Sequence, residues 1–305
     1  MQKRFDLSKY PALQLIGNTP LVKITRFSEE LPKVEIYAKA EMFNPGYSIK
    51  DRPVLRMLME AIRSGELTPN QTILDSTSGN AGIAYAMIGA VLGYRVELVI
   101  PENASEERKK RIRAHGANMV FTDALLGYDE ALREVRRRYE ASPDKYFWAN
   151  QYKNENNWRA HYETTGKEIL EQTQGKITHF VGGVGTGGTI TGVGRRLKEH
   201  NPEIKVCCIV PDEFPGIEGL KPMNDPEHII PEIFDESIVD EKISVTIDQA
   251  YERCGHLAEE GWFVGQSSGA YLQGAYEIAK KIERGVIVTI FNDLGERYFS
   301  TRLWD

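Results

Sequence analysis

Four short polar stretches of this chain carry residue types able to hold and use a reactive small molecule. In Asn44-Pro45-Gly46-Tyr47-Ser48-Ile49-Lys50-Asp51-Arg52, Lys50 stands between a strand expected over Val34–Ala40 and a helix expected over Pro53–Gly65. Such a lysine is ordinarily a solvated charge, because buried lysines are rare. The other stretches argue against that here. Gly182-Gly183-Val184-Gly185-Thr186-Gly187-Gly188-Thr189 follows a strand and opens a helix. Its glycines let backbone N–H groups approach an anion closely, the helix N-terminus adds a favourable dipole, and Thr186 and Thr189 add hydroxyls. A tight turn packing helix on strand explains two glycines but not five. Ser76-Thr77-Ser78-Gly79-Asn80 is a second helix N-terminus suited to a carboxylate, with Asn80 also readable as a capping side chain. Gly265-Gln266-Ser267-Ser268-Gly269 is a fourth strand-to-helix loop, by itself an ordinary N-cap serine. A lysine amine, a phosphate cradle, a carboxylate loop and a hydroxyl are together what an aldehyde cofactor held as a Schiff base requires. The spacing Gly183-x-Gly185-x-x-Gly188 also matches a dinucleotide fingerprint. That rival reading, an NAD-dependent oxidoreductase, sits in the wrong half of the chain, puts its acids Asp212 and Glu213 too far away, and leaves the Lys50 and Asn80 loops without a role.

These loops need elements to place them. After Lys50, short β-branched runs alternate with helical ones almost to the end. Strands are expected over Gln71–Ser76, Arg95–Pro101, Asn118–Thr122, Tyr146–Ala149, Thr178–Gly182, Lys205–Val210, Trp262–Gly265 and Val286–Phe291. Helices fill the gaps: Ala81–Gly93, Ser105–His115, Tyr128–Glu140, Asn157–Thr173, Gly188–Glu199, Ile247–Glu260 and Gly269–Ile282. The alternation predicts an α/β protein of mostly parallel sheet covered by helices, with ligands at the carboxyl ends of the strands. Residues 1–33 and the Pro-rich stretch 211–231 break the rhythm. The charge clusters Glu106–Arg111 and Arg136–Arg138 read as solvated helix faces.

Bulk composition narrows the function. With 305 residues the chain suits two lobes around separate cores. A net charge of −6 argues against nucleic acid as a partner, since phosphate backbones need a basic face. Cys207, Cys208 and Cys254 are odd in number and lack zinc-type spacing, so buried thiols in a reducing compartment are expected and no metal site is. No signal-like lead and no membrane-length apolar run is present, which predicts a cytoplasmic protein without a membrane partner.

From Ile16-Gly17-Asn18-Thr19-Pro20-Leu21 to Gly295-Glu296-Arg297-Tyr298-Phe299-Ser300-Thr301, the chain resembles the fold type II pyridoxal-phosphate enzymes (tryptophan synthase β-like), and within them cysteine synthase. Phe214-Pro215-Gly216-Ile217 and Pro101-Glu102-Asn103 look closer to the B-type. The resemblance implies a transferase that makes L-cysteine from O-acetylserine or O-phosphoserine and a sulfur nucleophile, by β-replacement through an aminoacrylate, with pyridoxal 5'-phosphate as cofactor. It implies that Lys50 forms the Schiff base and serves as the base. Asn80 would meet the phenolic oxygen of the ring, and Gly185, Thr186, Gly187, Gly188 and Thr189 would cradle the phosphate. Ser267 would face the pyridine nitrogen, a neutral partner that leaves the ring a moderate electron sink. Thr77, Ser78, Gly79 and Gln151 would take the substrate carboxylate. Family members are usually homodimers, and a smaller mobile lobe, here about 41–143, closes over a larger cofactor lobe of 1–40 plus 144–305.

Three departures bear on specificity. Tyr47 stands where the family pattern has Gly, Ala81 replaces a threonine, and Val210 precedes Pro211 where Glu is common. The Tyr47 ring is expected to line the amino-acid pocket. Lys221, in Gly216-Ile217-Glu218-Gly219-Leu220-Lys221-Pro222, is a candidate for an anionic leaving group or nucleophile, against the plain reading of a solvated loop charge. Cystathionine β-synthase and other β-replacement enzymes share the same four loops, and a cofactor-binding protein without turnover is the non-enzyme alternative.

Overall fold

The computed structural model describes residues 6–77, 79–214, 216–223 and 229–305. In chain order the elements are α1 (Pro11–Gln14), β1 (Leu21–Ile24), β2 (Val34–Ala40), α2 (Asp51–Ser64), β3 (Thr72–Ser76), α3 (Asn80–Leu92) and β4 (Arg95–Pro101). Next come α4 (Glu106–Ala114), β5 (Asn118–Thr122), α5 (Gly127–Ala141), β6 (Tyr146–Trp148), α6 (Asn156–Ala160) and α7 (Gly166–Gln172). The chain finishes with β7 (His179–Gly183), α8 (Gly188–His200), β8 (Lys205–Pro211), β9 (Glu241–Val245), α9 (Ile247–Glu259), α10 (Gln266–Ala279) and β10 (Gly285–Phe291).

The strands form two sheets, six-stranded in the order β1-β2-β10-β7-β8-β9 and four-stranded in the order β5-β4-β3-β6. Every pairing is parallel except β1 with β2. The α/β class and the two lobes expected from the sequence are therefore present. The reason is visible in the strands. Thr72–Ser76 is buried at all five positions, as a strand covered on both faces by helices must be. One core surrounds the large sheet, and two smaller ones flank the small sheet, the second of them under α5.

Four details differ from the sequence reading. β1 lies in the supposedly irregular lead-in, and β9 falls between stretches read as insertion and helix. Both are edge strands with half-exposed patterns, so they lack the continuous apolar run that marks a central strand. The run 262–265 is no ladder strand. Only Val264 pairs, in an isolated bridge with Leu294. Tyr146–Trp148 hydrogen-bonds along Thr72–Leu74, so this strand extends the smaller sheet beyond residue 143.

The lysine loop is fixed by a buried charge cluster. Arg52, at the start of α2, pairs with Glu41 (2.7 Å) and Glu168 (2.6 Å), and Lys39 pairs with Glu168 (2.6 Å). Burial alone would raise the Glu168 carboxyl, but Arg52 and Lys39 hold it down to about 2. Two cations and two anions balance here, which is how charge survives in a core. The cluster ties β2, α2 and α7 together two residues from Lys50. The Glu106–Arg111 run is also less solvated than expected, since Arg108 is only 2% exposed. Cys207, Cys208 and Cys254 are free and buried. Among the described residues, no helix is long and apolar enough to cross a membrane.

Candidate active site

The carboxyl ends of both sheets face one cavity of about 760 Å³. It collects residues from all four loops: Lys50, Thr77, Gly79, Asn80, Gly185, Thr186, Gly187, Thr189 and Ser267, together with Gln151 and Lys221. Ser78 lies outside the described residues. Gly188 belongs to the same turn but faces Asn157 instead of the cavity.

Lys50 is the residue before α2, and its amine has no hydrogen-bond partner among the described residues. The residue is half-buried and lines the cavity. Burial pushes the amine below its ordinary value, against the opposing charge of Asp293. An amine depressed in this way is suited to nucleophilic or general-base chemistry. Beside it, the Asp51 carboxyl is pushed up to about 7 by burial and accepts from the Gly46 N–H at 2.5 Å, holding the turn closed.

The turn at 183–189 has the backbone features an anion cradle needs. Among the described residues the backbone N–H groups of Gly185, Thr186 and Gly187 have no partner, and that of Gly188, which opens α8, meets only Thr186 Oγ1 at 3.4 Å. A side chain on Gly185 would meet the Gly219 carbonyl at 2.6 Å, and its Cβ would stand 4.0 Å from the Lys50 amine. Gly187 has φ +81° and packs on Phe234. Asn157 donates to Thr186 Oγ1 (3.1 Å), and Thr189 Oγ1 meets His161 Nε2 (3.3 Å). His161 is buried, which pushes its imidazole well below the usual range, with Arg52 and Lys50 adding to the effect. Dry N–H groups, a helix dipole and a lysine at reach fit the phosphate and aldehyde of pyridoxal phosphate.

The other loops are also organised. Thr77 Oγ1 accepts from Gly79 N (2.9 Å) and Gly82 N (3.0 Å), so Thr77 and not Asn80 caps α3. The Asn80 side chain instead donates to Asp293 Oδ2 (2.6 Å) and accepts from Arg297. Gln151 is fixed by bonds to Asp75 and to the Ser76 carbonyl (2.8 Å). Ser267 Oγ accepts from Asn292 Nδ2 at 3.0 Å. Lys221 is mostly buried, paired with Asp129 (3.2 Å) across the cleft and 5.1 Å from the Tyr152 ring. A second cross-cleft pair joins Arg108 to Glu218.

Tyr47 does not line the cavity, contrary to expectation. Its backbone is left-handed (φ +58°), which turns the ring outward onto Arg111, 4.4 Å from the guanidinium, and leaves it 46% exposed. Sequence reasoning missed Arg108, hidden in a charged run, and Asn292 and Asp293, which follow β10. The one signal for the latter pair was position, at the carboxyl end of a parallel strand.

The family model for "Pyridoxal-phosphate dependent enzyme" matches residues 12–293. The chain belongs to this family. Membership sets aside the dinucleotide reading of the glycines. Among characterised members, the chain is 51% identical over 300 residues to the cysteine synthase of Aquifex aeolicus, covering 96% of this chain and 91% of that one. It is 41% identical over 289 residues to cysteine synthase B of Salmonella typhimurium, covering 94% of each. Among solved structures, an O-ureido-L-serine synthase superposes with TM-score 0.89 at 37% identity, covering 96% of this chain and 94% of that one. The cysteine synthase of Entamoeba histolytica also gives TM-score 0.89, at 36% identity over 100% of this chain and 92% of that one. The site geometry and the family agree on the cofactor, pyridoxal phosphate.

Proposed function

We propose that this protein makes L-cysteine from an O-activated serine and a sulfur nucleophile. The observation that carries the reading is the unpartnered, half-buried Lys50 amine at the edge of an N–H cradle, 4.0 Å from where a Cβ on Gly185 would stand. Gly185, Thr186, Gly187, Gly188 and Thr189 bind the phosphate, with Gly188 contributing through its backbone. Thr77, Ser78, Gly79 and Gln151 bind the substrate carboxylate at the start of α3, where the dipole favours an anion. Asn80 meets the phenolic oxygen. Ser267 presents a neutral hydroxyl to the pyridine nitrogen, so it enforces no positive charge there. When bound, pyridoxal phosphate supplies an electron sink that acidifies the substrate's α-proton. With the cofactor bound, the Lys50 amine would be the group at hand to take that proton, and a depressed amine is suited to the task. Once the leaving group is lost from Cβ and the sulfur nucleophile is added there, Lys50 would return the proton to Cα. Lys221 stands at the cavity mouth for an anionic leaving group or nucleophile. The lobe of about 41–143, with β6 added, moves to close the cleft, and the working form is a cytoplasmic homodimer.

Purified protein should be yellow, and borohydride should fix the cofactor to Lys50, read by peptide mass. Cysteine should form from O-acetylserine or O-phosphoserine with sulfide or thiosulfate, while serine with homocysteine tests the cystathionine alternative. Lys50→Ala should keep the fold, since the cradle binds independently, and lose turnover by several orders of magnitude. Near-normal turnover in that variant would assign the base elsewhere.

A further inference from the structure

The four polar loops come from distant parts of the chain, and the two residues that follow β10, Asn292 and Asp293, stitch three of them together. The Asn292 carbonyl accepts from Ile49 N (3.0 Å), and Asp293 bridges to Ser48, so the lysine loop is pinned to this point. The Asn292 side chain donates to Ser267, and its backbone N–H donates to Ser268 Oγ at 2.9 Å. Asp293, fully buried, accepts from Asn80 Nδ2 (2.6 Å) and from the Tyr298 hydroxyl (2.9 Å) through one oxygen. Its other oxygen has no partner among the described residues. Arg297, also buried, donates to Asn80 Oδ1 and to the Gly46 carbonyl.

The Asn80 amide is thus held between an acceptor and a donor of opposite charge. A guanidinium can only donate and an ionised carboxylate can only accept. Turning the amide over would set its oxygen against Asp293 and its NH₂ against Arg297, losing both bonds. One Nδ2 hydrogen is spent on Asp293, and the second is left for the cavity, which Asn80 lines. An amide without these neighbours has no such preference.

We propose that Asp293 and Arg297 are a positioning pair for the cofactor ring: they lock the Asn80 amide with an N–H facing the phenolic oxygen, and tie that lock to the Lys50 loop through Gly46 and Ser48. Neither residue touches the reacting atoms. The inference rests on the reading above that Lys50 and Asn80 hold pyridoxal phosphate. Asp293→Asn removes the charge and the acceptor-only partner, so that Arg297 alone is left to orient the Asn80 amide. Arg297→Lys keeps the charge and breaks the fork between Asn80 and Gly46.

Visible circular dichroism, taken per cofactor fixed to Lys50 by borohydride, reports ring orientation without reference to turnover. Each variant should lower that signal about twofold or more, and the double variant should lower it little further, because both act on one amide. In an Asn80→Ala background neither substitution should change it. Arg297→Lys keeps the test open should Asp293→Asn fail to fold. Unchanged dichroism in a variant with full cofactor on Lys50, or effects that persist without Asn80, would overturn the pair's role. Wild-type protein with no cofactor fixed to Lys50 would overturn the underlying reading instead, and this proposal with it.

Discussion

Two strand-to-helix turns of this molecule are suited to anions, and they are built from different materials. Apart from the Lys50 amine near Gly185, the turn at 183–189 packs against uncharged groups of its own lobe, such as the Gly219 carbonyl, Phe234 and Asn157. The turn at 76–80 is surrounded by ions. Arg108 lies against Gly79, and Asp293 and Arg297 hold Asn80 from the other lobe. A cofactor phosphate stays through many turnovers and rewards a rigid, dry cradle. A substrate carboxylate arrives and leaves each cycle, and side chains that already have a second partner, as Arg108 has Glu218, can yield and re-form. Rigidity follows residence time.

The sharpest way to break this comparison is to add one methyl to each turn. At Gly187 a side chain must adopt φ +81° and would bring Cβ within 2.7 Å of Phe234 Cβ and 3.0 Å of its Cα. Left-handed backbone costs an Ala about 1–2 kcal/mol, and the neighbour is partly backbone, so the cradle itself shifts. Gly187→Ala should weaken cofactor binding roughly a hundredfold or more, as the loss of one or two N–H contacts to an anion implies. At Gly79 the backbone is extended and the collision, at 2.6 Å, is with Arg108 Cδ and Nε, which can swing. Gly79→Ala should keep the cofactor and raise the KM for the amino acid. Cofactor titration by absorbance checks both, and equal loss at the two sites would end the distinction.

The same contrast explains what the sequence disclosed. Elements buried along most of their length, such as Arg95–Pro101 and Lys205–Pro211, announce themselves as largely apolar runs, and glycine cradles announce themselves by composition. Edge strands β1 and β9 share their residues with solvent and lack that mark. Asn292 and Asp293 read as any polar pair after a strand, because their importance comes from the three loops that reach them. Arg108 was lost among Glu106–Arg111, since spacing does not say which of several charges turns inward. The ligand of a rigid site is written locally, while an exchangeable site is written in pairs far apart in sequence.

Lys221 extends the exchangeable group to the cavity mouth, where its Asp129 partner comes from the opposite side of the cleft. A leaving phosphate could take the place of Asp129 as its partner. A charge-assisted contact of about 1.5–3 kcal/mol corresponds to roughly ten- to a hundredfold. Lys221→Ala should lower kcat/KM for O-phosphoserine by about that factor and leave O-acetylserine nearly unchanged. Equal losses for both donors would make Lys221 a structural tie between the lobes, and the exchange account would fail at this position.

The smallest effect is expected at Tyr47, which sits in the lysine loop yet belongs to neither anion turn. Its ring covers Arg111 at 4.4 Å, and such a half-exposed contact contributes about 0.5–1 kcal/mol. Against that, Tyr holds φ +58°, where a side chain costs about 1–2 kcal/mol and glycine costs little. The terms oppose each other and nearly cancel, so Tyr47→Gly should change stability by no more than about 1 kcal/mol in either direction. Since the ring does not line the cavity, the ratio of kcat/KM for acetylated and phosphorylated donors should stay within about twofold of wild type. A large change in that ratio would mean that the ring, or the Arg111 it covers, reaches the site when the cleft closes, and that the lysine loop is part of the exchangeable machinery after all.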